Sequence, residues 1–188
     1  MKPMFSVHAG EYLAGSHIER QFRYVNLWMP AKDTGIDLLV SDRTNRHTVS
    51  LQVKFSKDFL VAHMQKQAPA FQQKLRACGW WTLNRAKVLR SQADYWVFVL
   101  QAFANTSVDF VVIPPQELAR RLRRIHRDGH QSVWQVYLWV TKAEQCWETR
   151  DLAKGDKLLI TSNKFSDRHR NFSKYLNAWT PVARLNRE

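Results

Sequence analysis

Val49-Ser50-Leu51-Gln52-Val53-Lys54-Phe55 alternates apolar and polar residues along its whole length, the pattern of a half-buried β-strand. Val49, Leu51, Val53 and Phe55 are expected to face the core. Ser50, Gln52 and Lys54 share the other face, with Gln52 and Lys54 about 6.6–6.8 Å apart along the strand. The preceding run, Ile36-Asp37-Leu38-Leu39-Val40, is dominated by branched apolar residues. It is bounded by turn formers, Asp33-Thr34-Gly35 before it and Ser41, Asp42 and Asn45 after it. It predicts a second strand, paired with the first as a hairpin. Asp37 stands out within it, because a carboxylate among buried aliphatics is costly unless a cation or hydrogen-bond donors meet it.

A helix is predicted from Gly10 to about Tyr24, with Glu11, Ala14, Ile18 and Phe22 on one face at spacings of three, four and four. Glu11 heads an otherwise apolar stripe and so points to the same region as Asp37. Gly15 lies beside that stripe and would let the helix approach the sheet closely, although a mid-helix glycine costs up to about 1 kcal/mol.

The order helix with Glu11, strand with Asp37, strand with Gln52-Val53-Lys54 resembles the PD-(D/E)XK nuclease superfamily, including Mrr-type restriction enzymes and Holliday-junction resolvase-like nucleases. The resemblance covers about residues 8–125. It implies a restriction-endonuclease-like α/β fold, a mixed β-sheet flanked by helices. It also implies a metal-dependent endonuclease that hydrolyses phosphodiester bonds in DNA, with Mg2+ or Mn2+ as cofactor. Carried over by residue, Asp37 is the main metal ligand, Gln52 a weaker one, Val53 a carbonyl donor, Glu11 the extra first-helix acid and Lys54 the catalytic lysine. Asp33 sits where the first acid of the motif name often falls. Gln52 departs from the commoner Asp or Glu, and an amide oxygen is a poorer ligand for a hard cation; the Gln-x-Lys variant is similar to that of Mrr-type enzymes.

Two other readings stand beside this one. The first is a nucleic-acid-binding protein that keeps the nuclease fold without catalysis, for which Gln52 is the motivating residue. The second is an unrelated basic α/β binding domain in which Asp37 and Lys54 only pair as ions.

Charge points to the partner. A formal net charge of +13 over 188 residues suits a protein that neutralises phosphates, with DNA the expected nucleic acid. No acid occurs between Asp58 and Asp94, whereas Lys66, Lys74, Arg76, Arg85, Lys87 and Arg90 all do. The same stretch carries Gln65, Gln67, Gln72, Gln73, Trp80, Trp81 and Asn84, suited to backbone contacts and base stacking. Its plainer reading is a solvated helix followed by a core Trp pair.

Farther along, Tyr95–Leu100 and Val108–Ile113 predict two strands about an Ala104-Asn105-Thr106-Ser107 turn. Gln116 to about His126 predicts a helix with Leu118, Leu122 and Ile125 buried and Gly129 just past its end. Its other face carries Arg120, Arg121, Arg123, Arg124 and Arg127, either a solvated face or a phosphate grip. Val133–Val140 and Asp156–Thr161 are expected as strands. Phe165–Trp179 is expected as a helix with Phe165, Phe172, Leu176 and Trp179 on one face. Trp96, Trp134 and Trp139 lie inside apolar runs and belong to the core. Lys164, Arg168, Arg170 and Lys174 would extend the basic surface.

Length and composition are those of one domain, residues 1–188, with a nuclease-like core and a C-terminal elaboration from about residue 126. No apolar run approaches a membrane span and no signal peptide is expected, so no membrane partner is expected either. Cys78 and Cys146 are far apart and lack metal-ligand spacing, which suits two thiols in a reducing, cytoplasmic setting. His8 and His17 flank the first helix and are read as packing or surface residues. A homodimer would cut both strands symmetrically, yet no exposed apolar stripe can be assigned to one.

Overall fold

A computed structural model describes residues 9–32, 34–56, 71, 73–102, 107–127, 129 and 131–186. The chain opens with helix α1 (Ala9–Gln21) and continues through strands β1 (Val25–Trp28), β2 (Leu38–Asp42) and β3 (Thr48–Ser56). Then come β4 (Leu75–Asn84), α2 (Arg85–Leu89), β5 (Tyr95–Ala102), β6 (Ser107–Ile113) and α3 (Pro115–Ile125). The C-terminal part holds β7 (Val133–Thr141), β8 (Cys146–Glu148), α4 (Lys154–Thr161), a 3₁₀ turn at Ser173–Tyr175 and α5 (Thr180–Ala183).

Among the described residues the strands form a mixed five-stranded sheet, β1-β2-β3-β5-β6, and a three-stranded sheet, β4-β7-β8. The predicted hairpin is present: β2 runs antiparallel to β3. β3 pairs in parallel with β5, Leu51 opposite Tyr95 through Ser56 opposite Leu100, and β5 pairs antiparallel with β6.

Side-chain alternation then sets the layers. On one face of the larger sheet Leu51, Val53, Val97 and Val99 pack against Ala14 and Ile18 of α1 and Val182 of α5. On the other, Trp96, Phe98 and Leu100 meet Trp81 and Leu83 of β4, Val136 and Leu138 of β7, and Leu118 and Leu122 of α3. The outer face of the smaller sheet is closed by Ile160 of α4, which packs with Cys78, Trp139 and Trp147. Trp96, Trp134 and Trp139 are buried as expected. Both cysteines are buried and neither forms a disulfide.

Gly10 is the residue that sets the seat of α1. A Cβ there would meet the Phe55 Cβ at 2.7 Å, whereas one at Gly15 would meet only the tip of Leu27, at 3.0 Å. No helix among the described residues is long and apolar enough to cross a membrane.

Several expectations are corrected. Asp156–Thr161 belongs to a helix, because Ile160 is buried while Leu158 and Leu159 stay exposed, an arc rather than an alternation. Phe165–Trp179 is not a helix. Its backbone is tied to strands instead: Glu148 N–H donates to the Arg170 carbonyl, Phe172 N–H to the Cys146 carbonyl and Asn177 N–H to the Phe110 carbonyl. The Trp80-Trp81 pair lies in a strand and divides between its faces, Trp80 being 36% exposed and Trp81 5%.

Arg121 is not on the solvated face of α3. It is 5% exposed. Its Nε donates to Glu117 at 2.7 Å, and its Nη1 donates to the carbonyls of Arg168, His169 and Asn171 at 2.9, 3.0 and 2.7 Å. It pins the segment that runs from α4 to the 3₁₀ turn. Arg170 is likewise engaged, with Nη1 2.6 Å from Glu148 Oε2. Arg120 also pairs with Glu117, but from an exposed position.

Arg121→Ala should therefore destabilise the fold by about 3–5 kcal/mol in a urea titration, since three backbone carbonyls lose a buried charged donor and Glu117 is left to Arg120 and Tyr175. Arg120→Ala should cost less than about 1 kcal/mol in the same urea titration. The Arg120 hydrogen bond foremost, with help from Tyr175 and Arg121, holds the Glu117 carboxyl down at about 2. A depressed folded-state value stabilises above the ordinary carboxylate range, and that contribution should be lost as pH falls from about 4.5 towards 2. Unfolding followed by fluorescence across that window should show a smaller loss in Glu117→Gln than in the parent protein, Asp42, which His47 also holds at about 2, contributing in both.

Candidate active site

β2 covers only the first part of β3, from Thr48 opposite Ser41 to Leu51 opposite Leu38. One residue earlier the Asp37 N–H still donates to the Leu51 carbonyl at 2.8 Å. There the side chain takes over from the backbone: Asp37 Oδ2 accepts the N–H of Val53 at 2.8 Å. N–H and C=O of one strand residue point to the same edge, so the Val53 carbonyl opens beside Asp37.

A cavity of about 1110 Å³ lies beside this part of β3. One wall carries Gly10 and Glu11 from α1, Asp37, and Gln52, Val53 and Lys54 from β3. Glu11 and Gln52 are each only 8% exposed. The Lys54 ammonium stands 5.5 Å from the centre of the Trp96 ring, a cation–π arrangement. The indole N–H of Trp96 donates in turn to Ser91 Oγ at 2.9 Å.

The facing wall comes from β4, α2 and the turn after it, through Thr82, Asn84, Lys87, Arg90, Ser91 and Gln92. Asn84 caps α2, its Oδ1 accepting the Lys87 N–H at 3.0 Å. Lys87 and Arg90 are exposed, and no carboxylate pairs with either among the described residues.

All five residues expected at the chemical centre, Glu11, Asp37, Gln52, Val53 and Lys54, thus line one cavity. Of the eight expected nucleic-acid contacts, only Lys87 and Arg90 do. Arg76 is held by Asp109 at 2.7 and 2.9 Å and by Glu144 at 3.0 Å. The Arg85 guanidinium donates to the Gly129 carbonyl and lies 5.5 Å from the Trp134 ring centre. Lys74 and Arg124 are exposed away from the cavity, and Arg120 and Arg121 are committed to Glu117. His17 packs instead of lining the cavity, stacked 5.1 Å from Trp179, and burial, with Arg20 adding to it, holds its pKa below the ordinary histidine value. Asp33, His8, Lys66, Gln65, Gln67 and Gln72 lie outside the described residues, as do Ala104, Asn105 and Thr106 of the expected turn, whereas Ser107 opens β6.

Thr82, Ser91 and Gln92 were not expected at the site. The signal for Thr82 is the exposed series Trp80, Thr82, Asn84 alternating with buried Trp81 and Leu83, a period-two pattern that marks a strand. Ser91 and Gln92 carry no such signal.

The donor set suits a hard divalent cation: two carboxylates, an amide oxygen and a backbone carbonyl, all oxygen. No group of three or more His, Cys, Asp or Glu side chains is placed to hold a metal ion among the described residues. Any ion here would rest on Asp37 and Glu11, with Gln52 and the Val53 carbonyl as neutral donors. No protein-family model matches the chain, and neither a curated protein nor a solved structure does.

The Asp37 carboxylate also has a structural duty. Asp37→Ala should leave the Val53 N–H without its acceptor and cost about 1–3 kcal/mol. Asp37→Asn can still offer an oxygen to that N–H and should cost less than about 1 kcal/mol; if a cation rests on Asp37, both variants should weaken Mn2+ binding. Chemical denaturation and manganese titration of the two variants check this pair of outcomes.

Proposed function

We propose that the chain is a metal-dependent endonuclease of restriction-endonuclease-like fold that hydrolyses phosphodiester bonds in DNA. One observation carries the reading: Glu11, Asp37, Gln52, Val53 and Lys54, drawn from a helix, a strand approach and a strand interior, meet in a single cavity. Support for the fold comes from the mixed sheet, its β2–β3 hairpin and the helix bearing Glu11 packed on one face. The net charge of +13 supports a polyanionic substrate.

Asp37 and Glu11 would hold magnesium or manganese, completed by Gln52 and the Val53 carbonyl. A cation bound there supplies charge neutralisation at the phosphate and a lowered pKa for water. Lys54 orients the attacking water and sets a positive charge against the developing oxyanion. Trp96 beneath the ammonium fixes where that charge stands, and the β3 backbone fixes Gln52 two residues before it. The presence of only two carboxylates is what a binding protein without catalysis would also have, and the same assay separates the two readings.

Purified protein with Mg2+ or Mn2+ should nick or degrade DNA, and EDTA should stop it. Lys54→Ala should lower the rate by about 10²-fold or more, with a stability loss of no more than about 1 kcal/mol from the lost contact with Trp96. Lys54→Arg should not restore the rate, since a planar fork does not replace a compact ammonium. Gln52→Glu should tighten manganese binding, a carboxylate replacing an amide at nearly the same reach. Inactivity of the metal-replete protein on plasmid, linear, branched and single-stranded DNA would leave the binding-only reading in place.

A further inference from the structure

The cavity is two-walled, and the walls differ in charge. Glu11, Asp37 and Gln52 lie on the side of the five-stranded sheet, and Lys87 and Arg90 lie opposite, on elements that flank the three-stranded sheet. Both sides rest on packed elements: Val53 of β3 packs with Ala14 and Ile18 of α1, and Val88 of α2 and Leu83 of β4 are buried in the core between the sheets. The lining thus combines packed elements with the short segments Thr34-Gly35 and Ser91-Gln92.

Depth matters as much as charge. A phosphate attacked at this site must reach groups that are only 8% exposed, Glu11 and Gln52, with cationic side chains facing them across the gap. A volume of about 1110 Å³ lies just above the range of about 300–1,000 Å³ that encloses drug-sized ligands, the size class of a nucleotide. Readers of intact duplex instead present a convex helix or ribbon to a major groove about 12 Å wide.

We propose that the cavity takes a single polynucleotide strand, with Lys87 and Arg90 holding the phosphates that flank the bond facing Asp37 and Lys54. This rests on the nuclease reading for the identity of the reacting bond, and on the cavity alone for the strandedness. Lys87 and Arg90 are suited to the task because they are exposed and unpaired with carboxylates among the described residues, whereas Arg76, Arg120 and Arg121 are engaged by Asp109 or Glu117. The backbone of the strand is neutralised on one side by these two cations. Asn84, Thr82 and Ser91 add hydrogen-bonding groups to the same lining, and such contacts position a strand without reading its sequence.

The test is equilibrium binding of fluorescein-labelled 20-mers, single-stranded DNA, single-stranded RNA and duplex DNA, by the full chain in EDTA across a salt series. The expected result is that at least one single strand binds about tenfold or more tighter than the duplex; either order of the two single strands supports the inference and names the sugar. In Lys87→Ala/Arg90→Ala the log-log salt slope for the strand should become shallower by about 1.4, at about 0.7 per lost single-strand contact. Lys87→Gln/Arg90→Gln should do the same, and both side chains are exposed, so the fold is kept. Duplex bound within about tenfold of the tighter-binding strand, or a slope unchanged in both double variants, overturns the proposal. Binding read without metal keeps that failure distinct from a failure to cut.

Discussion

β3 is longer than the partner that covers it. β2 ends its pairing opposite Leu51, and the remaining residues of β3 present an edge whose backbone groups must be met by something other than a neighbouring strand. The Asp37 carboxylate does this for the Val53 N–H. Among the described residues, that one substitution of side chain for backbone leaves the edge without a further strand and the donor satisfied. It also brings an acid to the place where Gln52 and Lys54 project from the polar face, and every other feature of the site is arranged round that gap.

What closes the gap on the far side is the second sheet. After β3 the chain leaves the larger sheet, contributes β4 to the smaller one, turns through α2 and returns as β5, the parallel neighbour of β3. Both cavity walls thus come chiefly from one stretch of chain that departs from and returns to the same place. The core between the sheets, with Trp81, Trp96, Phe98 and Trp134 at its centre, holds the walls apart. Arg121 ties the C-terminal segment to α3 and so completes the outside of that core.

The sequence made legible those elements whose signal is local. Period-two alternation located β3, apolar runs located β5, β6 and β7, and the three-and-four spacing from Glu11 to Ile18 located α1. The acids and the Gln-x-Lys triplet could be placed together because each lay on an element of this kind. Lys157-Leu158-Leu159-Ile160-Thr161 was ambiguous because a short apolar run suits a strand and a helix equally. Residues 165–179 misled for a different reason: Phe172 and Asn177 find their backbone partners at Cys146 and Phe110, far away in sequence. The arginines could not be sorted at all from composition. Whether a guanidinium faces solvent, a carboxylate or three carbonyls is decided by which segment packs over it.

Cys146 sits at the strand end where β8 meets this C-terminal segment, wholly buried, and burial pushes its thiol well above the ordinary range. A thiol kept protonated and out of reach is a poor nucleophile. Alkylating reagents at neutral pH will therefore find it only when β8 and the segment over it separate from the core, so its labelling rate is a clock for that opening. Because the same packing backs the wall opposite Asp37, the clock reports how often the cavity itself comes apart.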